Sequence, residues 1–328
     1  MNIFLFFESR EDWIKKNKGL KNPYVFSRFL ASLDEINIVK SSLESIGFNV
    51  ILLDYHKLNR KEIFNLIEKY DNSIFWNLTD GSNIFIGSHL PSFLHLIKKP
   101  YIGSSSFVQT LCQDKDLLKK VVTSKGITTS NSILFSNKYD FSFDSISSLS
   151  LPLFIKPSKF DNSIGMEFVK NPLAYSYEEA IGNIKVLLEN GIDDILIEEA
   201  LLGEEVTVAC IHTDNWKILP LRQEYEGNYI SSYAKEKESG FVRELKCIKD
   251  VTLVNIAKKL IDFLEIKDYC RMDFRYDIKN RDAYLLEINT GPFLTGVAFS
   301  KVANTFFKSF EDMFEQLIKY SVKRQKKL

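Results

Sequence analysis

The 328-residue chain has only four cysteines, at positions 112, 210, 247 and 270, and no two of them form a CxxC pair. That spacing excludes a zinc ribbon and a disulfide framework. It has no apolar run long enough to cross a bilayer. Its start, MNIFLFFESRED, lacks a basic leader region and turns acidic too soon for a signal peptide, so a cytoplasmic location is the expectation. Charge of one sign is missing too. The 43 basic and 43 acidic side chains cancel, which gives no case for bulk nucleic-acid or membrane-surface binding. There is no GK[ST] phosphate-loop signature, no internal repeat and no low-complexity linker. No Ser–His or Cys–His arrangement is defensible, and the four histidines (56, 89, 95 and 212) read as structural or exposed.

What is present is a chain 45% hydrophobic, long enough for two or three packed domains. NIFLFF (2–7) is a continuous apolar run suited to a buried parallel strand. A helix over 33–46, a strand over 48–53, a helix over 61–70, a strand over 73–78, a helix over 89–97 and a short strand at Tyr101 continue a β/α alternation. This predicts a parallel-sheet α/β domain over residues 1–103. A second region, 104–196, reads as a helix from 113, strands over 132–135, 153–156 and 166–169, and a helix over 176–189. The third, 197–328, reads as a strand over 205–211, a helix over 251–263, a hairpin and a last helix over 306–319. Its polar segment 224–240 has no sustained apolar period and reads as a lid over a site that must exclude water.

Three stretches carry chemistry. In RMDFRYDIKNRDAYLLEINTGPFLT (271–295) two alternating runs flank a polar turn, which predicts an antiparallel hairpin. Asp273, Glu287 and Asn289 then share one face, with Tyr284, Leu286 and Ile288 opposite. Two carboxylates and an amide oxygen suit Mg²⁺, although the same pattern also serves an ordinary solvated hairpin face. The loop SKFDNSIG (158–165) is small and polar enough to close over phosphates with backbone N–H groups, or to be a plain turn. Lys156 precedes it. ILIEEALLGEEVTV (195–208) is a strand, a connector and a strand. Its backbone would meet a purine edge and Glu205 a ribose, the other reading being a surface hairpin.

Together NLTDG (77–81), LPSFLHLIKKPYIGSS (90–105), QDKDLLKK (113–120), FIKPS (154–158), NSIG (162–165), IEEALLGEEVTV (197–208), CRMDF (270–274) and LEINTGP (286–292) resemble the ATP-grasp superfamily. Within it they resemble the D-alanine–D-alanine ligase-like carboxylate–amine ligases. The resemblance implies an α/β fold, α+β in the ATP-grasp part, built in three regions, with ATP and two Mg²⁺ ions as cofactors and Mn²⁺ able to substitute. It implies that Lys115, Lys156 and Ser163 bind phosphates, that Glu198, Glu199 and Leu201 frame adenine, and that Glu205 holds ribose. Asp273, Glu287 and Asn289 would bind metal, Arg271 would face the developing charge, and Lys235 would reach over the γ-phosphate. Small carboxylate and amine substrates are implied as partners. A homodimer is an expectation, since the family commonly pairs through its N-terminal region.

The sequence departs from the family on the substrate side. Aligned on Ser32-Leu33, Arg28 stands where a glutamate holds the first substrate's ammonium, which favours an anion there, the other reading being a shifted loop with Arg28 on the surface. Phe293 and Ala298 replace a glycine and a serine near the second substrate, and Glu236 replaces an aromatic. The expected function is an ATP-dependent ligase for a pair other than two D-alanines. An authentic D-alanine–D-alanine ligase and a nucleotide-binding protein without turnover are the alternatives.

Overall fold

The structure is a computed structural model that describes residues 1–27, 30–70, 72–79, 88–137, 143–161, 163–201, 203–224 and 244–325. Three sheets organise it.

The first contains β1 (Asn2–Phe7), β2 (Asn49–Asp54), β3 (Ser73–Asn77) and β4 (Tyr101–Ile102), in the order β2-β1-β3-β4 and parallel throughout. The NIFLFF run is buried on both faces. Ile3 and Leu5 join one core cluster and Phe4 and Phe6 another, as expected for a strand covered by helices on either side. Two of the covering helices begin with reciprocal caps, Ser32 with Glu35 and Asn59 with Glu62. Two short helices in the polar stretch, α1 (Arg10–Lys16) and α2 (Pro23–Phe26), lack the apolar period that would reveal them. They are followed by α3 (Leu33–Ser45), α4 (Arg60–Lys69) and α5 (His89–Leu96).

The second sheet is antiparallel, β5-β8-β6-β7, built from β5 (Ser132–Ser136), β6 (Leu153–Pro157), β7 (Leu173–Ala174) and β8 (Asp194–Glu199). The strand expected over 166–169 is a 3₁₀ turn, Met166–Phe168. Ser163 and Gly165 hold left-handed backbone, φ 51° and 90°, so the chain curls, and Leu173–Ala174 takes the ladder position beside β6 instead. Helix α8 (Tyr177–Glu189) packs on this sheet.

The third sheet is antiparallel in the order β11-β10-β9-β12-β13. Its strands are β9 (Glu204–His212), β10 (Trp216–Glu224), β11 (Glu244–Cys247), β12 (Tyr269–Asp277) and β13 (Asp282–Asn289). The helix expected from 113 is α7 (Lys115–Thr123), which extended Asp114 caps through Leu117 N–H, and a helix the sequence reading did not expect, α6 (Ser106–Gln113), precedes it. Both pack on this sheet with α9 (Val251–Leu264). The last expected helix, over 306–319, is α11 (Phe310–Gln325), and an unexpected helix, α10 (Val297–Phe306), precedes it. Extended Phe307 breaks the run, and Ser309 Oγ then accepts from Asp312 N–H to start another.

The first and third sheets share a core. A buried hydrogen bond from Trp76 Nε1 to Tyr269 Oη (2.9 Å) links them. A second link runs through buried Asp268, which accepts from Gly103 N–H (2.6 Å) and Arg324 Nη2 (2.8 Å).

Candidate functional site

A cleft of about 230 Å³ opens between the second and third sheets. One wall is Lys156 at the end of β6 with Ser163 and Met166 from the loop after it. The other is β12 and β13, through Asp273, Arg275, Leu286 and Glu287. The connector 199–201 and Glu205 close one end.

The hairpin floor is built by register. Asp273 pairs across the ladder with Glu287, and Arg271 with Asn289. The alternation on β12 is as the sequence indicates, with Cys270, Met272, Phe274 and Tyr276 fully buried beneath Arg271, Asp273 and Arg275. On β13 it is not. A bulge opposite the Asp273–Phe274 step makes Phe274 pair with Leu285, so Leu285 enters the core and Leu286 turns to the cleft with Glu287. Leu286 therefore does not lie opposite Glu287 as strict alternation predicts.

Asp273 is oriented from both sides. Thr207 Oγ donates to its Oδ1 (2.7 Å), and Gln223 donates to Thr207 in turn (2.8 Å). Arg271 Nε donates to Asp273 Oδ2 (3.1 Å), and its guanidinium lies 3.8 Å from Glu287. Asn289 Oδ1 accepts from Gly291 N–H (3.0 Å). The donors on this floor are oxygens only, as Mg²⁺ requires, and cationic Arg271 and Lys115 already sit against the carboxylates. Among the described residues no cluster of three or more His, Cys, Asp or Glu side chains is placed to hold a metal, so a site here depends on the amide of Asn289 as well.

Lys115 lies beneath the cleft rather than on its wall. It is 3% exposed and donates to Asp161 Oδ1 (2.6 Å) and the Phe160 carbonyl (2.7 Å), with Glu287 Oε2 at 3.3 Å. Burial works against its charge, but Asp161 and Glu287 outweigh that and raise its pKa above the usual lysine value. Asp161, buried and facing Glu287 as well, is pushed up by burial.

Glu198 is gripped by two lysines. Lys156 lies 2.6 Å from Oε2, while Lys119 and Ser130 meet Oε1, the hydroxyl at 2.9 Å. Burial opposes its charge, yet the two ammonium groups hold its pKa at about 2. The Glu199 side chain is fixed by Asn131 Nδ2 and Ser150 N–H (each 2.8 Å). Glu205 faces Arg275 at 3.5 Å. Of the expected site residues, Lys156, Ser163, Glu198, Glu199, Leu201, Glu205, Asp273 and Glu287 meet at one cleft. Arg28, Lys235 and Glu236 lie outside the described residues, as does the expected lid beyond Glu224. Arg10 donates to the carbonyls of Ser27 (3.1 Å) and Leu30 (2.7 Å), the described residues on either side of Arg28 and Phe29.

Sequence reasoning passed over Asp161, Lys119, Arg275 and Leu286. Lys119 left a signal, since it lies one helical turn after Lys115 within QDKDLLKK and so on the same face.

Two antiparallel sheets closing on a cleft that pairs a lysine-bearing loop with an acidic hairpin define an ATP-grasp enzyme. The family described as D-ala D-ala ligase C-terminus matches residues 121–319, and the chain belongs to it. It is thus an ATP-dependent ligase of the D-alanine–D-alanine ligase type, a class that forms carbon–nitrogen bonds. The D-alanine–D-alanine ligase of Carboxydothermus hydrogenoformans is 28% identical over 295 residues, covering 86% of this chain and 90% of that protein. Among solved structures, the Bacillus anthracis D-alanine–D-alanine ligase complexed with ATP superposes with a TM-score of 0.74 at 17% identity, covering 100% of this chain and 99% of that one. The VanG D-Ala:D-Ser ligase from Enterococcus faecalis gives 0.69 at 19% identity, covering 98% and 99%. At these identities the superpositions speak for the fold. No described helix is long and apolar enough to cross a membrane.

Proposed function

We propose that this chain joins a carboxylate to an amine through an acyl phosphate, and that its substrates are not two D-alanines. The observation that carries the chemistry is the juxtaposition of Lys156 and Ser163 with the Asp273–Glu287 pair across one cleft. In the reaction a substrate carboxylate oxygen attacks the γ-phosphorus of ATP, the bond to the β-phosphate oxygen breaks, and ADP leaves. The amine then attacks the acyl carbon, and the tetrahedral oxyanion collapses with release of phosphate.

Each group has a place in this scheme. Lys156, Ser163 and the backbone of their loop bind phosphate oxygens, with Lys115 supporting from below. The carbonyl of Glu199 and the N–H of Leu201 meet the adenine edge, and Glu205 the ribose. Arg271 faces the charge that develops at the acyl carbon. Asp273, Glu287 and Asn289 would hold Mg²⁺, which neutralises the phosphates and draws charge from the transferring group. Lys235 and the polar segment around it would cover the γ-phosphate. No protein nucleophile is needed.

The substrate side supports the second half of the proposal. Arg28 replaces an acidic partner of an ammonium with a cation, so an acyl substrate carrying an anion is favoured. Phe293 packs with Phe7, Ala31 and Ile36, and Ala298 is buried in the core, so the acceptor side is apolar where the family has small or hydroxylic residues. The VanG neighbour, whose description names D-Ser, is an instance of this fold with another acceptor. The identity to the Carboxydothermus ligase favours the second reading, an authentic D-alanine–D-alanine ligase. ADP release measured with D-alanine alone, against a panel of amino acids and small acids, tests both. Dipeptide formation from D-alanine at the rate of a dedicated ligase would overturn the divergent-substrate reading.

A further inference from the structure

Lys119 lies on helix α7 and does not line the cleft, yet it is only 4% exposed. Its ammonium donates to Ser130 Oγ (2.6 Å) and pairs with Glu198 Oε1. The other oxygen of Glu198 takes Lys156 at 2.6 Å, and Lys156 does face the cleft. The order from interior to cleft is therefore cation, anion, cation. Lys156 and Glu198 alone would cancel and present a neutral pair to a triphosphate. With Lys119 behind them the group keeps one net positive charge, directed at the cleft through Lys156.

We propose that Lys119 is a positioning residue for the nucleotide. By holding and neutralising Glu198 from behind, it leaves Lys156 in place with its charge available to the phosphates. The proposal rests on the reading of the cleft as an ATP site. It differs from a purely structural role in its dependence on charge count. In a low-dielectric interior a buried charge acts on a ligand it does not touch, whereas a packing role is indifferent to whether Glu198 is ionised.

The test is ATP affinity by titration calorimetry on the full chain, for the wild type, K119M, E198Q and K119M/E198Q, each checked for folding by circular dichroism. K119M should bind ATP on the order of tenfold more weakly, the cluster having lost its net charge. K119M/E198Q, with Lys156 alone charged, should bind at least about threefold more tightly than K119M. A K119M protein that binds like wild type, or a double variant no better than K119M, overturns the proposal. If K119M does not fold, E198Q against K119M/E198Q decides. The single variant carries one more positive charge and should bind more tightly, and equal affinities overturn the idea. A wild-type chain that binds no ATP fails at the nucleotide reading itself, a distinct result.

Discussion

Lys115 Nζ lies 2.6 Å from Asp161 Oδ1, and this ion pair fastens the loop before Ser163 to the first turn of α7. Gln113 Nε2 donates to the other oxygen of Asp161 (2.9 Å), so the loop is held twice. Removing a single member leaves a buried charge uncompensated. Lys115→Ala should cost about 3–5 kcal/mol in urea unfolding, and adding Asp161→Asn should recover part of it. Additive losses in the two variants would show that the pair is not coupled.

Glu287→Gln should keep the fold and lose at least about a hundredfold in ADP release if Glu287 holds the metal as proposed, because a neutral amide then replaces a carboxylate ligand. Chelator should abolish wild-type turnover, with Mg²⁺ or Mn²⁺ restoring it. Wild-type rates in the variant would remove Glu287 from the metal site.

The bulge separates the fates of two adjacent leucines. Leu285 is 1% exposed in the core, so Leu285→Ala should destabilise by about 2–5 kcal/mol. Leu286 lines the cleft, so Leu286→Ala should leave the unfolding midpoint nearly unchanged and raise the KM for ATP. The reverse outcome would mean that β13 runs without its bulge.

Glu198 titrates near 4.5 when unfolded and at about 2 in the fold, where burial opposes ionisation and two lysines more than compensate. Between those values the unfolded chain binds the extra proton, so this contribution to stability is complete above about pH 4.5 and is lost as pH falls towards 2. Thermal midpoints should decline over that acid range. In Glu198→Gln the decline should be shallower, and an identical slope would assign the acid loss to other groups.

The residues themselves determined a good deal. NIFLFF is apolar at every position, so it predicts a strand buried on both faces whatever surrounds it. The hairpin 271–289 carries its period and turn within one segment, and that was enough to bring Asp273 and Glu287 together before any fold was known. Caps such as Ser32–Glu35 are local for the same reason.

Tertiary structure decided the rest, wherever a residue's role depends on a distant partner. Nothing near Leu286 marks it as the bulged residue. Its direction follows from the pairing of β12 with both β9 and β13, which fixes Phe274 against Leu285. Which segment pairs with the edge of β6 is likewise decided by the sheet, where Leu173–Ala174 stands and Met166–Phe168 is a 3₁₀ turn. Lys115 and Lys119 read as a phosphate ligand and an anonymous helix lysine. Once sheets and helix close around them they become buried cations held by Asp161, Glu287 and Glu198. Desolvation makes those pairings energetically decisive, and burial is set by the assembled fold.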